Sequence, residues 1–137
     1  MSQDYIRQSL VAAVEAAKVG APTPSLVIEY DNRIIVDTQT QVDPYLIVQV
    51  VLIDGVQADI STDPIHRFYG QLLLAPAVKD GAGSADALKL SDHFAPQLQR
   101  KTFSGVRTLT AKPTPSRKNL GWTLYPTIIP FWYDKIY

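Results

Sequence analysis

The chain has 137 residues, of which 46% are hydrophobic and 19% charged, and its 13 basic and 13 acidic side chains give a formal net charge of zero. This length and composition indicate one globular domain and exclude a disordered chain. The absence of cysteine excludes a disulfide framework and any metal site built on thiolates.

The first residues are polar, and we read no signal peptide in them because a charged start followed by an apolar run is missing. No apolar stretch approaches the roughly 20 residues that a membrane helix needs. We therefore expect a protein that is made in a cytoplasm, stays soluble and does not contact a membrane.

The first half of the sequence predicts one helix followed by strands. Apolar residues recur at helical spacing over residues 3–19, and Gly20 ends that helix. Ser25–Tyr30 and Arg33–Asp37 form a predicted hairpin around an Asp-Asn turn. Residues 45–53 are apolar at nearly every position, which predicts a central strand covered on both faces.

The second half predicts a strand, a second helix and further strands. The predicted elements are a strand at Ile65–Leu74, a helix capped by Ser84 that ends or kinks at Ala95 before Pro96, a strand at Val106–Ala111, a polar tip at Lys112–Asn119 and a last strand at Gly121–Tyr133. This order indicates an α+β fold: one domain over residues 1–137, with a single mixed or antiparallel sheet of about five or six strands and two helices packed on it.

Two prolines, Pro126 and Pro130, lie four residues apart in the predicted last strand. They share strand parity, so both missing N–H donors face the same side, and we expect this strand at an edge of the sheet. Residues of the other parity keep their N–H groups, and we expect these to pair with residues 106–111. The side chains form two sets, of which one must be buried and the other needs a helix or another subunit to cover it: Trp122, Leu124, Ile128 and Trp132 in one set, and Tyr125, Ile129, Phe131 and Tyr133 in the other.

Charge is unevenly distributed along the chain. Residues 1–63 hold nine acidic and three basic side chains, whereas residues 100–118 hold six basic side chains and no acidic one. Two interpretations stay open: the halves neutralise each other within one fold, or they form unlike faces that dock on unlike neighbours.

The sequence offers no catalytic pattern. His66 and His93 are the only histidines, and neither lies in a metal-binding or nucleophile motif. The glycines at 81 and 83 lack the lysine of a phosphate-binding loop. We therefore expect no enzymatic activity, metal or cofactor.

Several segments together resemble the tail terminator, or tail completion, proteins of long-tailed bacteriophages. They are Pro44-Tyr45-Leu46-Ile47-Val48, Arg67-x-x-Gly70-x-Leu72-x-Leu74 with Pro76, Gly81 and Gly83 before Ala85–Leu88 and Phe94, Phe103, and the aromatic run Trp122–Pro126 with Ile128, Pro130 and Phe131. The chain departs from the family pattern in a longer link at Ala75–Gly83 and in Pro96.

The resemblance implies a structural virion protein of the tail and neck, made in the bacterial host. Such proteins form a hexameric ring on the last ring of tail tube protein, stop its growth and offer the surface that joins the head or neck protein. DNA passes through the ring without sequence readout, and the family has no catalytic residues to transfer.

We expect two docking loops of opposite charge and a set of aromatic subunit contacts. The basic loop carries Lys112, Arg117 and Lys118, the acidic loop carries Asp54, Asp59 and Asp63, and the aromatic contacts are Tyr125, Phe131 and Tyr133. Three alternatives remain: a head–tail connector or stopper of the neck, a nucleic-acid-binding domain that uses residues 100–118 with Phe103, and a small enzyme.

Overall fold

The computed structural model describes residues 3–22, 26–30, 41, 43–57, 65–119 and 121–136. The elements in these residues are α1 (Gln3–Ala17), β1 (Ile28–Tyr30), β2 (Tyr45–Gln57), β3 (Ile65–Lys79), α2 (Ala85–Leu98), β4 (Thr102–Phe103), β5 (Val106–Thr108), β6 (Lys112–Pro113), β7 (Arg117–Asn119), β8 (Trp122–Leu124) and β9 (Thr127–Ile136). The predicted α+β class, with two helices on one mixed sheet, is confirmed. Neither described helix is long and apolar enough to span a membrane.

The long strands β3 and β9 form the middle of the sheet, whose strand order is β1-β2-β3-β9-β5-β4. β1 is parallel to β2, and the other pairs are antiparallel. β8 continues the line of β9 along the end of β3, while β7 lies outside β8 and β6 lies outside β9. Helix α1 contacts both β2 and β4, so the sheet curls around the helical layer.

The main core lies between the helices and one face of the sheet. Helical spacing places the buried apolar residues of each helix on one stripe, and strand alternation places those of the sheet on one face. The largest of these side chains are at most 2% exposed: Ile6, Leu10 and Val14 of α1, Leu90, Phe94 and Leu98 of α2, and Leu46, Leu72, Leu74, Ile129, Phe131 and Tyr133 of the sheet.

Gly70 marks the closest approach between β3 and the core. A β-carbon at this position would lie 2.4 Å from Cζ of Phe131 and 2.5 Å from the carbonyl oxygen of Val51. Real β-carbons essentially never come within 3.0 Å of another heavy atom, so the Phe131 ring occupies the space that a side chain would need. The absence of a side chain at Gly70 therefore allows the aromatic ring to pack flat on the strand.

The second helix begins where it was predicted to begin but extends beyond its predicted end. It continues to Leu98 with Pro96 inside it, since a proline in the last turn removes only one helical hydrogen bond and the N–H of Gln99 still reaches the Ala95 carbonyl at 2.9 Å. Ser84 occupies the N-cap position, but its side chain makes no capping hydrogen bond. The predicted end at Ala95 is therefore wrong, whereas the predicted N-cap position of Ser84 is confirmed without a side-chain hydrogen bond.

The proline-bearing strand is interior, and its prediction as an edge strand is wrong. The carbonyl groups of Pro126 and Pro130 do face one side, where they accept hydrogen bonds from the N–H groups of Thr114 at 2.9 Å and Leu109 at 2.8 Å. The alternate residues of this strand direct their backbone groups to β3, and not to residues 106–111 as predicted. Because the prolines cannot donate, pairing on their side is reduced to the short strands β5 and β6.

Candidate interaction surface

The face of the sheet opposite the helices, here called the outer face, is rich in apolar side chains. Strand register places alternate residues of β2, β3, β9 and β5 on it. Its apolar members are Ile47, Val51, Tyr69, Leu73, Ile128, Pro130, Trp132 and Leu109, the last lying just beyond β5. Within the described residues, both helices pack on the other face, so no helix covers this one.

Exposure of these side chains overturns the prediction that β2 is covered on both faces. Val51 is 43% exposed, Tyr69 41% and Leu109 44%, whereas Leu46 and Val48 on the inner face are fully buried. Ile53, at the β-bulge where the β2–β3 register shifts, is 57% exposed. A continuous apolar strand with one half-exposed face is typical of a surface that another protein covers.

Trp132 lies on the β9 part of the outer face, between two arginines. The guanidinium carbon of Arg67 lies 3.9 Å from the centre of the indole ring, and that of Arg107 lies 5.2 Å from it. Arg67 also donates two hydrogen bonds to the Asp134 carboxylate, at 2.9 and 3.1 Å. This hydrogen-bonded pair lowers the pKa of Asp134 and raises that of Arg67. Tryptophan, tyrosine and arginine are the residues that most often dominate binding energy at protein interfaces.

A second, smaller core closes one end of the outer face. Tyr45, Ala77, Trp122 and Leu124 are buried there, and the rings of Tyr45 and Trp122 meet edge to face with centres 5.0 Å apart. Burial raises the pKa of the Tyr45 hydroxyl, with a smaller contribution from Glu29. The exposed apolar patch is therefore bounded at this end.

Six cations line the margin of the sheet formed by β4, β5, β6 and β7. This basic margin consists of Arg100, Lys101, Arg107, Lys112, Arg117 and Lys118, all of them exposed. The predicted polar tip at residues 112–119 is instead two short strands that flank an irregular turn, so its cations belong to the sheet. Residues 100–119 contain no acidic side chain.

The segment that carries Arg100 and Lys101 is held rigidly. The buried Thr108 hydroxyl donates to the Leu98 carbonyl at 2.5 Å and accepts from the N–H of Lys101 at 2.9 Å. Arg100 has a backbone φ of +53°, which is unusual for a residue with a side chain, and its Nε donates to the Thr110 hydroxyl at 3.1 Å. These bonds fix the rim of a groove of about 380 Å³ whose lining includes Arg100, Lys101, Arg107 and Trp132.

The structure separates the predicted site residues into three groups. Lys112, Arg117 and Lys118 lie together on the basic margin, and Tyr125 is partly exposed. Phe131 and Tyr133 are 1% and 2% exposed in the main core, so their prediction as subunit contacts is wrong.

The predicted acidic loop lies largely outside the described residues. Asp54 lies in β2, next to the bulge, while Asp59 and Asp63 are not among the described residues. The predicted hairpin strand at residues 33–37 is outside them as well.

Sequence reasoning missed Arg67 and Tyr69 as outer-face residues, and it placed Arg107 only within the basic strip 100–118. Their signal was the period-two alternation of β3 and β5, in which they share parity with partly exposed neighbours. That alternation places them on one face but does not say which face the helices cover.

No cluster with catalytic or metal-binding geometry occurs in the part of the chain that the structure describes. No group of three histidine, aspartate or glutamate side chains is close enough to hold a metal ion there. Nε2 of His93 lies 2.6 Å from the Ala17 carbonyl, to which it donates, so this histidine joins the two helices. His66 lies in β3, opposite Gln57 and Lys135.

No model of a known protein family matches the chain, and no curated protein matches it. One solved structure, whose name states no function, is similar to it: the two chains share 17% sequence identity and a TM-score of 0.69 over 100% of this chain and 98% of the other. At that identity the likeness shows a shared fold alone.

Proposed function

We propose that this chain is a structural virion protein that caps the last ring of a phage tail tube. In this role it forms a closed ring, of six subunits by the family resemblance, ends tube polymerisation and offers the surface to which the head or neck is joined. DNA crosses its lumen without specific recognition. The observation that carries the proposal is a half-exposed apolar sheet face that includes Trp132 and is bordered by a basic margin.

An uncovered apolar face is a liability for a protein that works alone. Val51, Tyr69 and Leu109 lie on one face of a single sheet, so their exposed areas add to the patch around Trp132. Large exposed apolar patches in soluble proteins mark contact sites, and isolated exposed residues do not. A permanent subunit or tube contact would cover this face.

The terminator role also requires unlike surfaces. A terminator must bind the last ring of tail tube protein on one side and prevent a further tube ring from binding on its other side. The basic margin differs in charge from the apolar outer face, and from the acid-rich first 63 residues of the chain. Electrostatic complementarity of this kind selects partners and orientation more than it adds affinity.

Capping can be measured by adding the purified protein to tail tube protein of the same phage while it polymerises. We expect tubes of reduced and more uniform length, each with a ring at one end in negative-stain images. Reversing Lys112, Arg117 and Lys118 to glutamate should abolish capping without unfolding the protein, because all three side chains are exposed. Lys89→Glu, an exposed reversal on α2, is the matched control and should cap normally.

Unchanged tube lengths with the unmodified protein would contradict the proposal. A neck connector or stopper would instead bind finished tails and leave tube length unaltered. A nucleic-acid-binding protein would retain DNA fragments with an affinity that falls steeply with salt, and charge reversal at the basic margin would abolish that retention.

A further inference from the structure

The groove beside Trp132 is lined by cations. They are Arg100, Lys101 and Arg107, and none of them forms a salt bridge with a described residue. Asp134, on the outer face, accepts hydrogen bonds from Nε and Nη2 of Arg67, and the charge of Arg107 also lowers its pKa. The backbone that carries Arg100 and Lys101 is held by the hydrogen bonds of Thr108, with Arg100 at a φ of +53°.

The anion that fits this groove is a carboxylate of a protein. Binding of single-stranded nucleic acid uses an open aromatic face on which bases stack. Arg67 lies 3.9 Å from the centre of the Trp132 ring and already covers that face. The remaining lining is Leu109 and threonine hydroxyls, which suit a short acidic side chain and not a base.

The chain itself carries the complementary surface at the opposite margin of its sheet. Among the described strands β1 is the end strand there, and Glu29 lies on it opposite Ile47, on the side of the outer face. Asp43 is exposed just before β2 begins. Glu15 accepts a hydrogen bond from the Tyr30 hydroxyl on the helix side of β1 and so lies apart from them. We call Glu29 and Asp43 the acidic margin.

We propose that the basic groove of one copy receives the acidic margin of a second copy in a head-to-tail contact. The two surfaces are different, and they lie at opposite margins of one sheet. Such a contact is heterologous, and it produces a ring when the rotation between copies closes. This proposal rests on the proposed ring function, and it identifies the two surfaces through which neighbouring copies would contact each other.

Two sets of charge reversals test the contact. Lys101→Glu with Arg107→Glu destroys the basic groove, and Glu29→Lys with Asp43→Lys destroys the acidic margin. We expect each variant alone to stay monomeric, with the concentration for half-assembly raised by at least about tenfold, because like charges then meet. Light scattering after size exclusion measures the mass, and unchanged melting temperatures verify the fold.

Mixing the two variants gives the decisive result. The intact acidic margin of the groove variant fits the intact groove of the margin variant, and the two reversed surfaces are complementary to each other as well, so the expected product is an assembly in which the two variants alternate. A protein carrying all four reversals should assemble again, because its charges are exchanged and still complementary. Should the groove variant misfold, Lys101→Gln with Arg107→Gln replaces it, and Lys89→Glu with Asp92→Lys is the matched control on α2.

Three results would overturn the contact. They are rings formed by either variant as readily as by the unmodified protein, a mixture that stays monomeric, and loss of DNA retention on Arg107→Glu with assembly unchanged. In all three cases an unmodified protein that still forms rings and caps tubes leaves the terminator role intact. An unmodified protein that is monomeric at every concentration removes both proposals.

Discussion

Replacing Gly70 with alanine tests the packing of the sheet against its core. The new methyl group would lie 2.4 Å from Cζ of Phe131 and 2.5 Å from the Val51 carbonyl oxygen, whereas ordinary contacts begin near 3.4 Å. About 1 Å of space must therefore open on two sides. The ring is buried and the oxygen belongs to the adjacent strand, so neither can move away without disturbing other contacts.

Overpacking a core typically lowers the free energy of unfolding by about 1–3 kcal/mol. Because this clash involves backbone, we expect a loss at the upper end, near 3 kcal/mol. The free energy of unfolding of a small domain is about 5–15 kcal/mol, so this loss would be a large share of the stability. With a urea dependence of about 1–3 kcal/mol per molar, the unfolding midpoint should fall by about 1–3 M.

Urea unfolding followed by tryptophan fluorescence measures the loss, with Gln71→Ala on the outer face as the control. Phe131→Leu removes the ring atoms nearest the added methyl group. The loss of unfolding free energy caused by Phe131→Leu should therefore be smaller in the Gly70→Ala protein than in the unmodified protein, by a coupling energy of about 0.5–3 kcal/mol. A Gly70→Ala protein within about 0.5 kcal/mol of the unmodified one would refute this account of the close approach.

Three further substitutions probe the outer face, the groove and the second core. Asp134→Asn should lower stability at neutral pH, and the difference should shrink below about pH 5, because Arg67 lowers the pKa of Asp134 in the folded state and that stabilisation is lost as the pH falls through the folded pKa. Thr108→Val should cost about 1–3 kcal/mol in urea unfolding, since the Leu98 carbonyl loses its buried partner. Trp122→Ala should cost about 3–5 kcal/mol in thermal or urea unfolding, since it empties the second core.

Each of these three has its own contradicting result. A stability difference for Asp134→Asn that is constant between about pH 3 and pH 7 would show that the charge of Asp134 is irrelevant. Thr102→Val, an exposed threonine on the neighbouring strand, is the control for Thr108→Val and should be nearly neutral. Equal losses for the two threonines, or a Trp122→Ala protein of unchanged stability, would contradict the buried roles assigned to these residues.

Local patterns in the sequence predicted the existence and type of most described elements. Helical spacing located α1 and α2, and β-branched and aromatic runs located β2, β3 and β9. The predicted ends of elements were wrong where the local preference of a single residue is outweighed by tertiary contacts. Pro96 is accepted in the last turn of α2 because the helix is held by Leu98 in the core.

The candidate surface was only partly predictable. Lys112, Arg117 and Lys118 were grouped by charge, and they lie on the short strands β6 and β7, while their docking role stays a prediction. Phe131 and Tyr133 were assigned to an interface, yet they are core residues. The aromatic run divides into two sets by parity, and both sets are apolar enough to be buried.

Sequence patterns were sufficient to predict the α+β class, the alternation of each strand and the separation of acidic from basic residues, because these features depend on neighbours along the chain. Three features could be seen only in the folded chain: which sheet face the helices cover, the interior position of β9, and the meeting of Arg107 and Trp132 beside Arg100. Those outcomes depend on pairing between distant strands, and a period-two pattern is equally compatible with either face being buried.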